Sequence, residues 1–290
     1  MVGSRTEVLK HVALFLREIR IEHTLFALPF AYVGAILAAH GVPRPSALLW
    51  ITLAVFGART AAMAANRFLD REIDARNPRT ARRALASGTL APSVMLWAGG
   101  AGLVLLLVSA WMLNPLCVKL MPIAALLLLT YPLCKRFTWT THFVLGAVDG
   151  LAPLGAYVGI AGTITGAALL LFAAVTIWVA GFDIIYALMD LRVDEAQGIR
   201  SLPARFGEAA GRVLPILLHV AMLVLLAAAG VLAGAGRTYF LGVFSVAVLI
   251  LYEQYLFRSG ANLFVINERV FVSNMIFSVF FLLTTLGGFV

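Results

Sequence analysis

Apolar residues run in blocks of about twenty along most of this chain, broken by short polar punctuation. Nine such blocks are legible, near 22–40, 46–66, 92–112, 115–133, 142–161, 166–189, 210–233, 238–256 and 271–289. A helix of about twenty residues crosses about 30 Å of hydrocarbon. The blocks are continuous rather than alternating, so they predict helices and not barrel strands. The expected architecture is all-α: a polytopic membrane protein forming one unit over residues 1–290. Its longest polar segments are two loops, about 67–91 and 190–209, both on one side. Counted with the motifs that open them, they span 66–91 and 186–209.

Composition agrees with this pattern. The chain is 62% hydrophobic and only 12% charged, against about 45–50% and about 25% in a soluble domain. The net charge of +8 could point to nucleic acid, but the basic residues sit in short loops, where they set topology instead. One set of loops holds Arg5, Lys10, Arg17, Arg20, Arg67, Arg71, Arg76, Arg79, Arg82, Arg83, Lys135, Arg136, Arg192, Arg200, Arg205, Arg212, Arg258 and Arg269. The opposite set holds little beyond Arg44, Lys119 and Arg237. By the positive-inside rule the N-terminus and both polar loops are expected in the cytoplasm, in a cell (inner) membrane. Cys117 and Cys134 fall near opposite ends of one predicted helix, about 25 Å apart, too far for a disulfide.

Charged residues at the ends of two blocks carry the candidate chemistry. Asn66-Arg-Phe-Leu-Asp70-Arg-Glu-Ile-Asp74 ends one and Tyr186-Ala-Leu-Met-Asp190-Leu-Arg-Val-Asp194 ends another. On a helix, carboxylates four residues apart lie on one face, about 6 Å apart along the axis. Asp70 and Asp190 are 120 residues apart, as are Asp74 and Asp194, and each stretch is followed by a basic loop containing a glycine, Gly88 or Gly207. Four predicted spans lie between the motifs, so both return to the same side, as in a parallel repeat. Two acidic faces meeting at a membrane edge repel unless cations sit between them. Oxygen ligands of this kind suit Mg²⁺, which fills its remaining positions with water and phosphate oxygens. The following arginines, Arg79, Arg82 and Arg83, have the forked geometry for phosphate. The competing reading is ordinary juxtamembrane salt bridging.

Deeper polar residues are candidates as well. Arg59 lies seven residues before Asn66, inside a span, where an unpaired arginine costs about 2.5–3.5 kcal/mol. It needs an anion: Asp183, Asp149, or a substrate carboxylate or phosphate. Asp149 stands in Gly146-Ala-Val-Asp-Gly-Leu-Ala-Pro-Leu-Gly155, which reads as a close-packing segment ahead of the alternative, a broken helix lining a cavity. Lys135 and Arg136 end the fourth span, as topology markers or phosphate contacts, and Arg20, Glu22 and His23 open the first.

At these residues the chain resembles the UbiA superfamily of intramembrane aromatic prenyltransferases. Asn66, Asp70 and Asp74 match its N-x-x-x-D-x-x-x-D motif, and Asp190 and Asp194 its D-x-x-x-D motif, with Tyr186 upstream. Ile21–Pro29, Arg76–Arg83, Gly181–Tyr186 and Asp194–Gly207 extend the match over nearly the whole chain. The resemblance implies nine helices around a central cavity capped by the two cytoplasmic loops. It implies Mg²⁺-dependent transfer from a polyprenyl diphosphate to an aromatic acid, of the 4-hydroxybenzoate or 1,4-dihydroxy-6-naphthoate type, in ubiquinone or menaquinone synthesis. Asn66, Asp70, Asp74, Asp190 and Asp194 would hold the metal. Arg79, Arg82, Lys135 and Arg136 would bind the diphosphate, and Arg59, Asp183 and Tyr186 the aromatic substrate. Where many members have Asn-Asp in the first motif, this chain has Asn66-Arg67, a departure that fits the dihydroxynaphthoate group better. Two other classes stay open: an ion or anion transporter, and a polyprenyl diphosphate hydrolase.

Overall fold

The computed structural model describes residues 13–19, 21–259 and 262–289, and the side chains of 21–26 and 258 are not described, so Arg20, Glu22 and His23 lie outside it. Beyond a short helical stretch at 13–18, the described residues form nine long helices and no strand. They are α1 (Ile21–Ala39), α2 (Pro45–Arg76), α3 (Pro92–Leu113), α4 (Pro115–Cys134), α5 (Thr141–Ala161), α6 (Gly166–Gln197), α7 (Leu202–Leu232), α8 (Arg237–Arg258) and α9 (Leu263–Gly287). Eight are long and apolar enough to span a membrane; in α1 the apolar stretch is the shorter Ala27–Ala39.

The two motif helices differ from their predicted lengths. Helices α2 and α6 each run 32 residues, about 48 Å at 1.5 Å per residue, well beyond about 30 Å of hydrocarbon. The polar loops expected from 66 and 186 therefore begin only at 77 and 198. The reason is local: Asn66–Arg76 and Tyr186–Gln197 contain no glycine or proline and are rich in helix formers. The first helix stops at Asn77, ahead of Pro78, and the second at Gly198, which takes the left-handed C-cap conformation. Gly88 (φ 75°) and Gly207 (φ 85°) are also left-handed, and Gly207 breaks α7 into a short turn and a long span.

In lipid, helices associate by close packing, so small residues mark their contacts. A Cβ on Gly57 of α2 would lie 2.7 Å from the Gly102 carbonyl of α3, and one on Gly146 of α5 2.0 Å from the Thr176 carbonyl of α6. The close-packing reading of the 146–155 segment is met here. The largest core cluster joins α1 to α5–α9 through Phe30, Trp178, Phe277 and Phe281. A buried polar ring ties α6–α9 together. Trp178 Nε1 donates to Asn274 Oδ1 (2.8 Å), Asn274 Nδ2 to Glu253 Oε1 (3.4 Å), and His219 bridges Glu253 Oε2 (2.7 Å) and the Trp178 carbonyl (3.3 Å). Cys117 and Cys134 are free thiols at opposite ends of α4.

The α1–α5 side is less tightly filled. It holds a largely apolar cavity of about 250 Å³, whose polar features are Arg59 and Asp149. The α2 residues that line it, from Ile51 to Arg59, lie below the projecting end of that helix.

Candidate active site

Helical spacing puts Asn66, Asp70 and Asp74 along one face of α2, and Asp190 and Asp194 along one face of α6. Three basic residues pair with these faces, and one of them, Arg79, reaches from the first to the second. Lys135, at the end of α4, reaches Asp70 Oδ2 (2.6 Å), and Arg83 Nη1 reaches Asp74 Oδ2 (2.6 Å). Arg79 grips Asp190 in a fork, its Nε donating to Oδ1 (2.9 Å) and its Nη2 to Oδ2. The loop after the first motif thus crosses to the second. Asn77 supports the crossing: its Nδ2 donates to Asp190 Oδ1 (3.2 Å) while its Oδ1 accepts from the Arg79 backbone N–H (2.9 Å).

Electrostatics confirm the convergence. Burial pulls the Arg79 guanidinium down, but Asp190, then Asp74 and Asp194, raise it above its ordinary value. Burial pushes the Asp70 carboxyl up, against the lowering effect of Lys135. Burial also pushes Asp194 up to about 6, opposed by its hydrogen bond with Ser201.

Asp70 is only 2% exposed, and its Oδ1 has no hydrogen-bond partner. A buried carboxylate oxygen can only accept, so a cation would supply the partner this atom lacks. Among the described residues no three Asp, Glu, His or Cys groups form a ready-made metal cage. A cation here would take few protein ligands and complete its shell from a bound ligand, which is the habit of Mg²⁺ rather than of Ca²⁺ or Zn²⁺.

The other expected residues divide. Arg136 lies 3.8 Å from Asp70 Oδ1 and donates to the Leu69 carbonyl (2.5 Å). Arg82 is exposed and makes no ion pair among the described residues. Arg59 finds Asp149, with Nη1 2.8 Å from Oδ1 and both side chains 12% exposed. Asp183 instead meets His142 (Nδ1 to Oδ2, 2.7 Å). The Leu202 backbone N–H donates to His142 Nε2 (3.1 Å), so that nitrogen is the acceptor and Nδ1 carries the proton toward Asp183. Tyr186 is half-buried and packs edge-on against Phe182.

Sequence reasoning missed Glu18, Asn77 and His142. Glu18 is buried, and its Oε1 accepts from the Ala84 backbone N–H (2.5 Å), joining the N-terminal segment to the first loop. The signal for His142 was its place: it is the only titratable residue at the start of its span, one turn after the Lys135-Arg136 loop.

Residues 27–263 match the UbiA prenyltransferase family. The 4-hydroxybenzoate octaprenyltransferase of Nitrosococcus oceani is 38% identical over 229 residues, 77% of this chain and 78% of that protein. The enzyme of the same name from Marinobacter nauticus is 36% identical, covering 87% of each chain. Among solved structures, an apo UbiA homolog from Aeropyrum pernix K1 superposes with a TM-score of 0.80 at 33% identity, over 92% of this chain and 97% of that one. A UbiA homolog from Archaeoglobus fulgidus, bound to DMAPP and Mg²⁺, shares the fold at a TM-score of 0.73 and 18% identity, over 95% and 98%.

Proposed function

The chain belongs to the UbiA prenyltransferase family, and from that membership we propose a polyprenyltransferase of quinone biosynthesis. It joins a polyprenyl group, carried as the diphosphate, to a ring carbon of an aromatic hydroxy acid. The 4-hydroxybenzoate named in the relatives is the first candidate acceptor. The Asn66-Arg67 pair keeps 1,4-dihydroxy-6-naphthoate as the second. The observation that carries this reading is the rim itself: two acidic helix ends joined by Arg79, with Lys135 on Asp70, and an apolar cavity along the same α2 helix.

Asp70, Asp74, Asp190 and Asp194, with Asn66 beside them, would hold Mg²⁺, which when bound neutralises charge developing on the departing diphosphate. Arg79, Lys135 and Arg136, with Arg82 at the exposed edge, hold the diphosphate oxygens and orient its allylic carbon toward the cavity. The apolar lining of α1–α5 takes the isoprenoid chain and keeps water from the allylic carbon as the C–O bond opens. An electron-rich ring carbon then forms the new C–C bond, and loss of its proton restores aromaticity. Arg59, set by Asp149, takes the acceptor's carboxylate, while Asp183, held by His142, and Tyr186 line the approach. The loop charges support a cytoplasmic site in the cell membrane.

Purified protein given a polyprenyl diphosphate, Mg²⁺ and each aromatic acid should yield a prenylated acid by mass spectrometry. Diphosphate release without that product would replace the reading with a hydrolase. No turnover with either acid, together with unchanged quinone levels in cells carrying Asp70→Ala, would overturn it. Arg59→Ala should raise the acceptor KM and leave the prenyl diphosphate KM alone; the opposite pattern would remove Arg59 from the acceptor site.

A further inference from the structure

Asn66 stands between two residues whose hydrogen-bonding character is fixed. Arg67 Nη1 donates to Asn66 Oδ1 (3.0 Å), and Asn66 Nδ2 donates to Asp70 Oδ2 (3.1 Å). A guanidinium only donates and a carboxylate only accepts, so the amide has one sensible orientation. Turning it over would set N–H against N–H and oxygen against oxygen.

Arg67 is not free to yield. It is 5% exposed, its Nε donates to the Glu18 carbonyl (3.0 Å), and the Glu18 carboxylate lies 3.5 Å away. Glu18 is itself pinned by the Ala84 backbone N–H. The N-terminal segment, the first motif helix and the cap loop therefore meet behind Asn66, with Leu14, Phe15, Leu85 and Leu90 packed around the joint.

On the other side, Asp70 Oδ2 receives both Asn66 and Lys135, whereas Oδ1 receives no hydrogen bond. The Asn66 oxygen faces a cation; the Asp70 Oδ1 lone pairs are open. A guanidinium stands near both oxygens, Arg67 Nη1 at 3.0 Å from Asn66 Oδ1 and Arg136 Nη2 at 3.8 Å from Asp70 Oδ1, but only the Asn66 oxygen accepts a hydrogen bond from it.

We propose that in this chain Asn66 is a positioning residue rather than a metal ligand. Arg67 fixes its amide, and the amide turns Asp70 so that Oδ1 alone is offered to the metal. The inference rests on the reading of the rim as a cation–diphosphate site, and it narrows the metal set expected from the motif to the aspartates.

The test is a Mn²⁺ titration of the purified full chain with inorganic diphosphate, followed by electron paramagnetic resonance. Asn66→Asp separates the two roles. A ligating oxygen that gains a charge binds Mn²⁺ as well or better. A positioning amide replaced by a carboxylate faces Asp70 Oδ2 with a like charge, and the Mn²⁺ dissociation constant should rise about tenfold. Arg67→Met should weaken Mn²⁺ about as much, and adding Asn66→Ala to it should cost nothing further, with the acceptor KM unmoved throughout. This non-additivity serves as a second measurement independent of Asn66→Asp. Tighter or equal Mn²⁺ binding by Asn66→Asp, or additive losses in the pair, would overturn the inference alone. A wild-type chain that binds no Mn²⁺ with diphosphate would instead overturn the site reading on which it rests.

Discussion

Asp149 is the most exacting place to perturb this protein. Its Oδ1 lies 2.8 Å from Arg59 Nη1, with both side chains 12% exposed. Arg59 Nε is buried and has no hydrogen-bond partner, so the guanidinium leans on Asp149. Replacing Asp149 with Leu leaves that charge in an apolar wall. Breaking a buried pair from one side costs about 3–5 kcal/mol, and insertion scales give about 2.5–3.5 kcal/mol for a lone arginine at mid-span. Asp149→Leu should therefore lose about 3 kcal/mol, the range where the two agree. The double change Arg59→Met with Asp149→Leu removes both charges and keeps the volume, and such swaps are neutral or stabilising by about 1–4 kcal/mol. The double variant should thus recover what the single one loses. The assay is denaturant unfolding of purified protein in mixed micelles, followed by tryptophan fluorescence, for all three variants. If Asp149→Leu unfolds at the wild-type midpoint, or if the double variant falls as far as its singles summed, the pair does not carry the electrostatics assigned to it.

Other expectations follow from the same geometry. Asp194 has a carboxyl raised to about 6 in the fold, so between about pH 4 and 6 the folded state holds the extra proton and stability falls as pH rises; Asp194→Asn should flatten that slope in a thermal-unfolding series. The same proton competes with metal, so the apparent Mg²⁺ constant should weaken by up to about tenfold per unit below pH 6, and excess Mg²⁺ should restore turnover. Arg79→Met removes the fork that joins the first loop to the second motif, and should raise the prenyl diphosphate KM at least about tenfold while exposing 77–91 to limited proteolysis. Gly146→Val places a side chain where Thr176 leaves 2.0 Å, and should cost about 1–3 kcal/mol or more in micelle unfolding.

What could be read in one dimension was anything that repeats along a single helix. The apolar blocks gave the spans, and four-residue spacing put Asp70 with Asp74 and Asp190 with Asp194. Each motif is followed by a glycine, Gly88 or Gly207, and the two share a left-handed backbone. What could not be read was which helix faces which. Arg59 had two intramembrane acids to choose from. The choice of Asp149 depends on α5 packing beside α2, while Asp183 is taken by His142, two turns nearer the start of α5. Arg67 looked like the loss of an acid; its link to Glu18 crosses 49 residues and a chain reversal. Hydropathy placed the span ends at 66 and 189 because charge begins there, but a helix does not stop where lipid does.

At the rim, Asp70, Asp74 and Asp190 each already hold a basic partner: Lys135, Arg83 and Arg79. An incoming metal diphosphate does not meet bare charges there. Under the proposed function it would trade partners, the carboxylates turning to the cation and the bases thus released to the phosphate oxygens. Arrival and departure would then be an exchange at nearly constant charge within the rim, with little long-range pull from the rim itself. Catalytic turnover should then depend only weakly on ionic strength, unlike that of an enzyme that recruits its ligand by an uncompensated field.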